Sequence, residues 1–480
     1  MTATPTAPPE AEAGEPLLLE PELIERVLGT ARGEGADFAE VFVEDVRAEG
    51  ITFDDGKVEN LASSRDLGAG IRVLAGSKTG FAHTSDLSEA GLVAAARAAA
   101  ASARIEPVEG GAVVPVTLRR VDAAPIAVRP ENVDTDAKVV LLRKADAAAR
   151  AHDDAITQVS VSYAGSRRRI LVANSDGLLT TDDQTRTRFA VNCVATGDTG
   201  LQTGTESVGN TVGFELFDTV DVEAAARAAG QRATTKLEAV PAPSGTHTVV
   251  IGPGSGGVLF HEACGHGLEA DLVAKGASVF AGRIGQQVAS PLVTLIDDGT
   301  MPGEWGNVAI DDEGQPAARN VLIEKGILVD YMWDAQRAKA KGRASSGNGR
   351  RQSYRHLPMV RMTNTYLEGG DMTPDEIIAG VDYGVYVARL GGGQVDTGSG
   401  DFVFGMTEAY LIENGEITSP LREGQLIGNG PKVLQLIDAV GNDFDMGSPG
   451  TCGKDGQGVP VGDGVPTLRV TELTIGGTSA

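Results

Sequence analysis

The chain has 480 residues, 41% of them hydrophobic and 22% charged, with a formal net charge of −25. That length suggests two or three domains, and so acidic a surface repels phosphate backbones and disfavours nucleic-acid binding. Cys193, Cys264 and Cys452, an odd and sparse set, do not form a disulfide framework and fit a reducing compartment.

Residues 1–19 are rich in Pro, Ala and Glu and are expected to be a disordered leader. The first 20 residues hold no Lys or Arg and no apolar core, so no secretory signal is expected there. No apolar run approaches the roughly 18 residues of a membrane helix. A cytoplasmic protein without membrane contact is the expectation.

Pro21 opens a helix with Leu23, Ile24, Val27 and Leu28 on one face. Short β-like runs follow at 40–46, 51–53 and 71–75, broken by Asp55-Gly56 and Gly76, and then an Ala-rich helix from about Ser88 to Ala103. The same order recurs: a helix over 135–151, strands near 157–163, 169–173 and 187–195, and a second Ala-rich helix over 222–237. This reads as helix, β-meander, helix stated twice, although the copies share no visible identity. The segment Pro241-Ala242-Pro243-Ser244-Gly245 ends this half. The expected division is therefore a leader over 1–19, an N-terminal α+β domain over 20–245 and a C-terminal domain over 246–480. The C-terminal half reads as mostly antiparallel β structure carrying one functional helix. The fold class is α+β, not a doubly wound parallel sheet.

The chemistry centres on His261-Glu262-Ala263-Cys264-Gly265-His266. Zinc peptidases place two His at i and i+4 with Glu as general base. Here the spacing is i+5, about 140° around a regular helix, so the imidazoles share one ion only if the helix is distorted. A π-bulge supplies that distortion, and Gly265 and Gly267 lower its cost. In this reading His261 and His266 bind Zn²⁺ and Glu262 is the base. A third ligand is required, and Cys264, Glu269, Asp271, His356 and Cys452 are the candidates. Cys264 lies about 160° from His266 and reads better as a small buried hydrophobe. Glu269 and Asp271 suit either ligation or support of a histidine N–H. Cys452 lies between glycines, with Lys454 nearby to favour a thiolate.

Several segments, in order, resemble the TldD branch of the TldD/PmbA metallopeptidase family: GSGGVLFHEACGHGLEAD (254–271), GGGQVDTGSGDFVF (391–404), EGQLIGNGPKVL (423–434), CGKDGQGVP (452–460) and LTIGGT (473–478). The resemblance spans nearly the whole chain after the leader and is strongest over 246–480. It implies one zinc per chain held by His261, His266 and Cys452, with Glu262 as base. It also implies a heterodimer with a PmbA/TldE-like paralogue that lacks the metal motif, and small unstructured peptides as substrates. The alternatives are a zinc amidohydrolase acting on a non-peptide amide, or a non-catalytic scaffold or modulator working through its paralogue.

Among remaining features, the run from Arg337 to Arg355 holds seven Lys/Arg residues and is the best candidate for a basic face. The loop 252–257 reads as a turn that aims the histidine helix, since it lacks the ending of a phosphate-binding loop.

Overall fold

The computed structural model describes residues 16–105, 113–121, 123, 125–422 and 424–477. Of the expected leader, residues 1–15 lie outside the described residues. Leu17 and Leu18 pack against the first apolar cluster and Leu19 is buried in it, so the packed chain begins inside the segment expected to be disordered.

Helix α1 (Pro21–Arg32) has Pro at its start and buries Ile24, Val27 and Leu28. It leads into three antiparallel strands, β1 (Phe38–Asp54), β2 (Lys57–Ala75) and β3 (Lys78–Thr84), and then α2 (Glu89–Ser102). Ser88 caps α2 by accepting from the Gly91 N–H. After a short strand β4 (Thr117–Arg119), the pattern returns as α3 (Thr135–Arg150), β5 (Ile156–Asn174), β6 (Leu178–Gly197) and β7 (Gly200–Asn210). The single-turn helix α4 (Leu216–Thr219) and α5 (Val222–Thr235) complete it. One packing detail is repeated as well. A Cβ on Gly80 of β3 would lie 2.0 Å from the Ala99 carbonyl of α2, and a Cβ on Gly204 of β7 would lie 2.0 Å from the Ala229 carbonyl of α5. In both units only glycine allows the Ala-rich helix to rest directly on the third strand.

The runs expected as separate strands at 40–46 and 51–53 are one strand, as are those at 157–163 and 169–173. Their middles carry charge, which hid the continuity. Ion pairs span these stretches, among them Arg65–Asp45 at 2.8 Å and Arg167–Asp183 at 2.6 Å.

β1 and β5 join the two meanders into one sheet of order β3-β2-β1-β5-β6-β4, with β7 also on β6. Odd-numbered residues of β1 and β5 point to one face. There Val41, Val43 and Leu171 meet α1 and α2, while Ile51, Phe53, Val159 and Val161 meet α3 and α5. Even-numbered residues point the other way. Phe42, Ile170 and Val172 pack there on Ile310 and Tyr354 of the C-terminal half.

The C-terminal half contains two main sheets. One, opened by β8 (Val240–Pro241) and β9 (Gly245–Ile251), includes strands 383–395, 401–413, 416–422, 425–429 and 468–476 and closes on itself where 383–395 pairs with both β9 and 401–413. The other runs 327–328, 319–324, 295–298, 364–367, 457–465 and 445–446, with 450–454 also on 457–465. Most of these pairings are antiparallel. The large apolar cluster between the sheets holds Leu259, Phe260, Ala263, Cys264 and Leu268, so the histidine helix runs through the core. No helix among the described residues is long and apolar enough to cross a membrane.

Candidate metal centre

β9 delivers the chain into a turn at Gly254 (φ 71°) and then α6 (Gly257–Phe260). His261–Gly265 then form a π-helical turn, and His266–Leu268 a 3₁₀ turn. The wide turn is the distortion that the i+5 spacing requires, and it sets the two imidazole centroids 5.2 Å apart. Close packing accounts for the glycines. A Cβ on Gly265 would meet the Met362 sulfur at 2.3 Å, and one on Gly267 would meet Phe280 at 2.8 Å.

Cys452 arrives from nearly 200 residues downstream. Strands 450–454 and 457–465 form a hairpin closed by Asp455-Gly456, both at positive φ (49° and 74°), the backbone a two-residue Asp-Gly turn favours. The buried Arg361 donates to the carbonyls of Cys452 and Gln457 and ties the hairpin down. As a result Cys452 Sγ lies 3.4 Å from His266 Nε2. One ligand atom from each of His261, His266 and Cys452 falls within 4.8 Å of the others. All three side chains are buried, but Glu262, on the same turn, keeps a quarter of its side-chain surface open, with Oε2 3.8 Å from His266 Nε2.

The electrostatics favour a ligating thiolate. Burial opposes ionisation of Cys452, but His261 and then His266 override it and bring the thiol down to about 4. Burial also disfavours charge on His266, yet Glu269 and Cys452 hold it well above the ordinary histidine value. His266 Nδ1 is 3.0 Å from Glu269 Oε2, and that carboxylate is fully buried. A carboxylate behind an imidazole fixes the tautomer and leaves Nε2 free to ligate. His261 Nδ1 is buried with no hydrogen-bond partner. Two imidazoles and one thiol, with an orphaned ring nitrogen and one open side, suit a zinc-like ion with three protein ligands.

Glu262 lines a cleft of about 610 Å³ between the halves, together with Asp463, Thr451 and Ser255. Burial pushes Asp463 up to about 7, with Glu262 adding to the rise and His261 opposing it.

Three models of the family described as PmbA/TldA metallopeptidase match this chain: domain 1 over residues 39–103, the central domain over 128–237 and the C-terminal domain over 244–477. A metalloprotease TldD homologue of Haemophilus influenzae is 41% identical over 453 residues, covering 92% of this chain and 93% of that protein. The chain belongs to the TldD branch of the TldD/PmbA family. A Methanothermobacter thermautotrophicus protein named a metalloprotease is 38% identical, covering 92% of this chain and 96% of its own. Among solved structures, TldE of Thermococcus kodakarensis superposes with a TM-score of 0.73 at 22% identity, covering 94% of this chain and all of that one. A Thermotoga maritima protein described as a candidate modulator of a DNA gyrase gives 0.79 at 21%, covering 95% and 99%. At such identities these structures show the α+β fold, and the curated relatives show a metalloprotease family.

Within this TldD-type chain, the other ligand candidates fall elsewhere. Cys264 is fully buried and donates to the Phe260 carbonyl, and burial pushes its thiol up to about 12. His356 pairs with Ser353 at 2.9 Å and is not part of the cluster. Glu269 and Asp271 stand behind the cluster and accept from Lys454 Nζ at 2.9 and 2.8 Å. The expectation that Lys454 favours the Cys452 thiolate is corrected here: the ammonium is drawn to two buried carboxylates, and the imidazoles do that work. The run 337–355 is not a basic face either. Arg350 and Arg351 are buried, while Arg337, Arg343 and Arg355 pair with Asp334, Asp330 and Asp66. Sequence reading missed Arg361 and Asp463. Their signal was weak, a lone charge in an otherwise apolar or Gly-rich stretch.

Proposed function

We propose that this chain is a zinc-dependent peptidase that hydrolyses peptide bonds in small unstructured peptides. The carrying observation is the convergence of His261, His266 and Cys452 on one point, with Glu262 beside them opening onto the cleft. His261, His266 and Cys452 would hold one zinc ion, which when bound supplies Lewis-acid polarisation of a carbonyl and a more acidic water. Glu262 takes the proton from water in the cleft and returns it to the departing amine. Glu269 holds the His266 ring in place, and Lys454 holds Glu269. The buried cluster, reached from a cleft of about 610 Å³, favours extended chains over folded proteins.

The same reading makes the working unit a heterodimer with a TldE-like paralogue, a partnership suggested by the superposition on TldE. It places the protein in the cytoplasm, where three unpaired cysteines are at home. It keeps the division between an N-terminal part up to residue 245, with the paired helix–meander–helix units, and 246–480, while Leu17–Leu19 of the expected leader 1–19 join the N-terminal part.

The test is digestion of unstructured peptides and of small non-peptide amides by the purified chain, with and without the paralogue, zinc and a chelator. Zinc-dependent peptide cleavage abolished by Glu262→Gln supports the proposal. Cleavage only of small amides indicates the amidohydrolase, and activity unaffected by chelator and by Glu262→Gln removes the metal mechanism.

A further inference from the structure

The cleft above Glu262 gathers cations on an acidic molecule. On a chain of net charge −25, four cations line this one space: Arg188 of β6, Arg232 and Lys236 at the end of α5, and Arg389 of strand 383–395. Two of them are already neutralised. Arg232 meets Glu206 at 2.6 Å and Glu408 at 2.8 Å, and Arg389 meets Glu206 at 3.0 Å.

The other two are not. Arg188 donates from Nε to Ser207 Oγ at 3.1 Å and makes no ion pair among the described residues. Lys236 donates to the Thr203 carbonyl at 2.7 Å; burial disfavours its charge, and Glu408, which favours it, lies beyond ion-pair distance. Both side chains are half-buried. A part-desolvated cation without a counter-ion is costly to keep, and an entering carboxylate would relieve that cost. The guanidinium of Arg188 has its Nη groups left for a bidentate contact. The carboxylates lining the cleft, Glu262 and Asp463, belong to its metal-cluster side.

We infer that this cleft selects peptides bearing a carboxylate, received by Arg188 with Lys236 beside it. The inference rests on the peptidase reading for its substrate class. The carboxylate has two sources, an Asp or Glu side chain or a free peptide C-terminus.

The experiment measures fluorescence-anisotropy binding of labelled peptides to the zinc-loaded Glu262→Gln chain. Matched peptides carry Glu or Gln at one position, each with a free or amidated C-terminus. The carboxylate-bearing peptides should bind about tenfold tighter at low salt, the scale of one charge-assisted hydrogen bond. That preference should shrink as salt rises. Comparing the amidated pair identifies a side-chain source, and comparing free with amidated ends identifies the C-terminus. Arg188→Gln should remove the preference and leave the Gln, amidated peptide unchanged, while Arg188→Lys should retain part of it. Equal affinities for all four peptides, no binding of any of them, or an undiminished preference in a folded Arg188→Gln chain overturns the inference. Tight, carboxylate-selective binding with no cleavage by the unmutated chain would instead sink the peptidase reading and leave the selectivity standing.

Discussion

The seam between the halves and the cluster beneath the cleft both bury charge, and they balance it in opposite ways. At the seam, three arginines meet carboxylates across it or beside it. Arg72 bridges Glu40 at 2.7 Å and Glu313 at 2.8 Å, Arg351 reaches Glu40, and Arg168 joins Glu44 at 2.6 Å to Asp312 at 2.8 Å. In the cluster, the nearest ammonium, Lys454, is turned to Glu269 and Asp271. His261, His266 and Cys452 are left facing one another, and His261 Nδ1 has no partner. These seam arginines have their counter-charges as folded, whereas the cluster is a set of ligand atoms that an added cation would complete. The seam therefore fixes how the halves meet, which shapes the cleft, and the cluster supplies the chemistry.

The largest effect that would sharpen this contrast is on catalysis. Glu262→Gln should lower peptide cleavage by about 10²–10⁴-fold, the usual contribution of a general base, with zinc content near that of the unmutated chain by elemental analysis. Retained activity would remove Glu262 from its role.

Next comes the seam. Arg72→Met strips the counter-ion from Glu313 and one of two from Glu40, and breaking a buried pair costs about 3–5 kcal/mol. Denaturant unfolding should show that loss, with zinc affinity of the folded chain unchanged. A drop below about 1 kcal/mol would mean that the seam is not closed by charge.

Glu269→Gln should weaken zinc binding by about 10–100-fold in competition titrations with a chromophoric chelator, without unfolding the chain. An unchanged affinity would reduce Glu269 to packing.

The smallest effect is one of pH. Burial raises the pKa values of Glu40 and Asp312, but their arginines outweigh it and hold both below the ordinary carboxylate range. Groups depressed in this way stabilise the fold above their unfolded pKa, and that stability is lost as pH falls through the folded values. Thermal unfolding should therefore show the melting temperature falling in acid, below the ordinary carboxylate range, and less steeply for Arg72→Met.

Much of this was legible in residues that act locally. Ser88 and Pro21 marked helix starts, Asp55-Gly56 marked a break between strands, and the i+5 histidine spacing itself required a π turn. Contacts made across the fold were not legible. Spacing could not choose Cys452 over Glu269 or Asp271, and only the family resemblance singled it out. Lys454 was misread because its partners lie over 180 residues away. The basic run 337–355 was misjudged because some of its counter-charges, Asp66 and Glu40, sit in the other half, while Asp334 and Asp330 lie just before it in sequence and were not paired with it. The long strands of the N-terminal sheet were split on paper because charged residues pair across their middles instead of alternating with apolar ones.

Whether one ion is shared by His261, His266 and the distant Cys452 can be read by X-ray absorption spectroscopy of the zinc-loaded chain. One zinc per chain is expected, with a single sulfur at about 2.3 Å and nitrogens at about 2.0–2.1 Å, the sulfur shell vanishing in Cys452→Ser. A zinc shell of nitrogen and oxygen alone in the unmutated chain, or a sulfur that persists in Cys452→Ser, would contradict it.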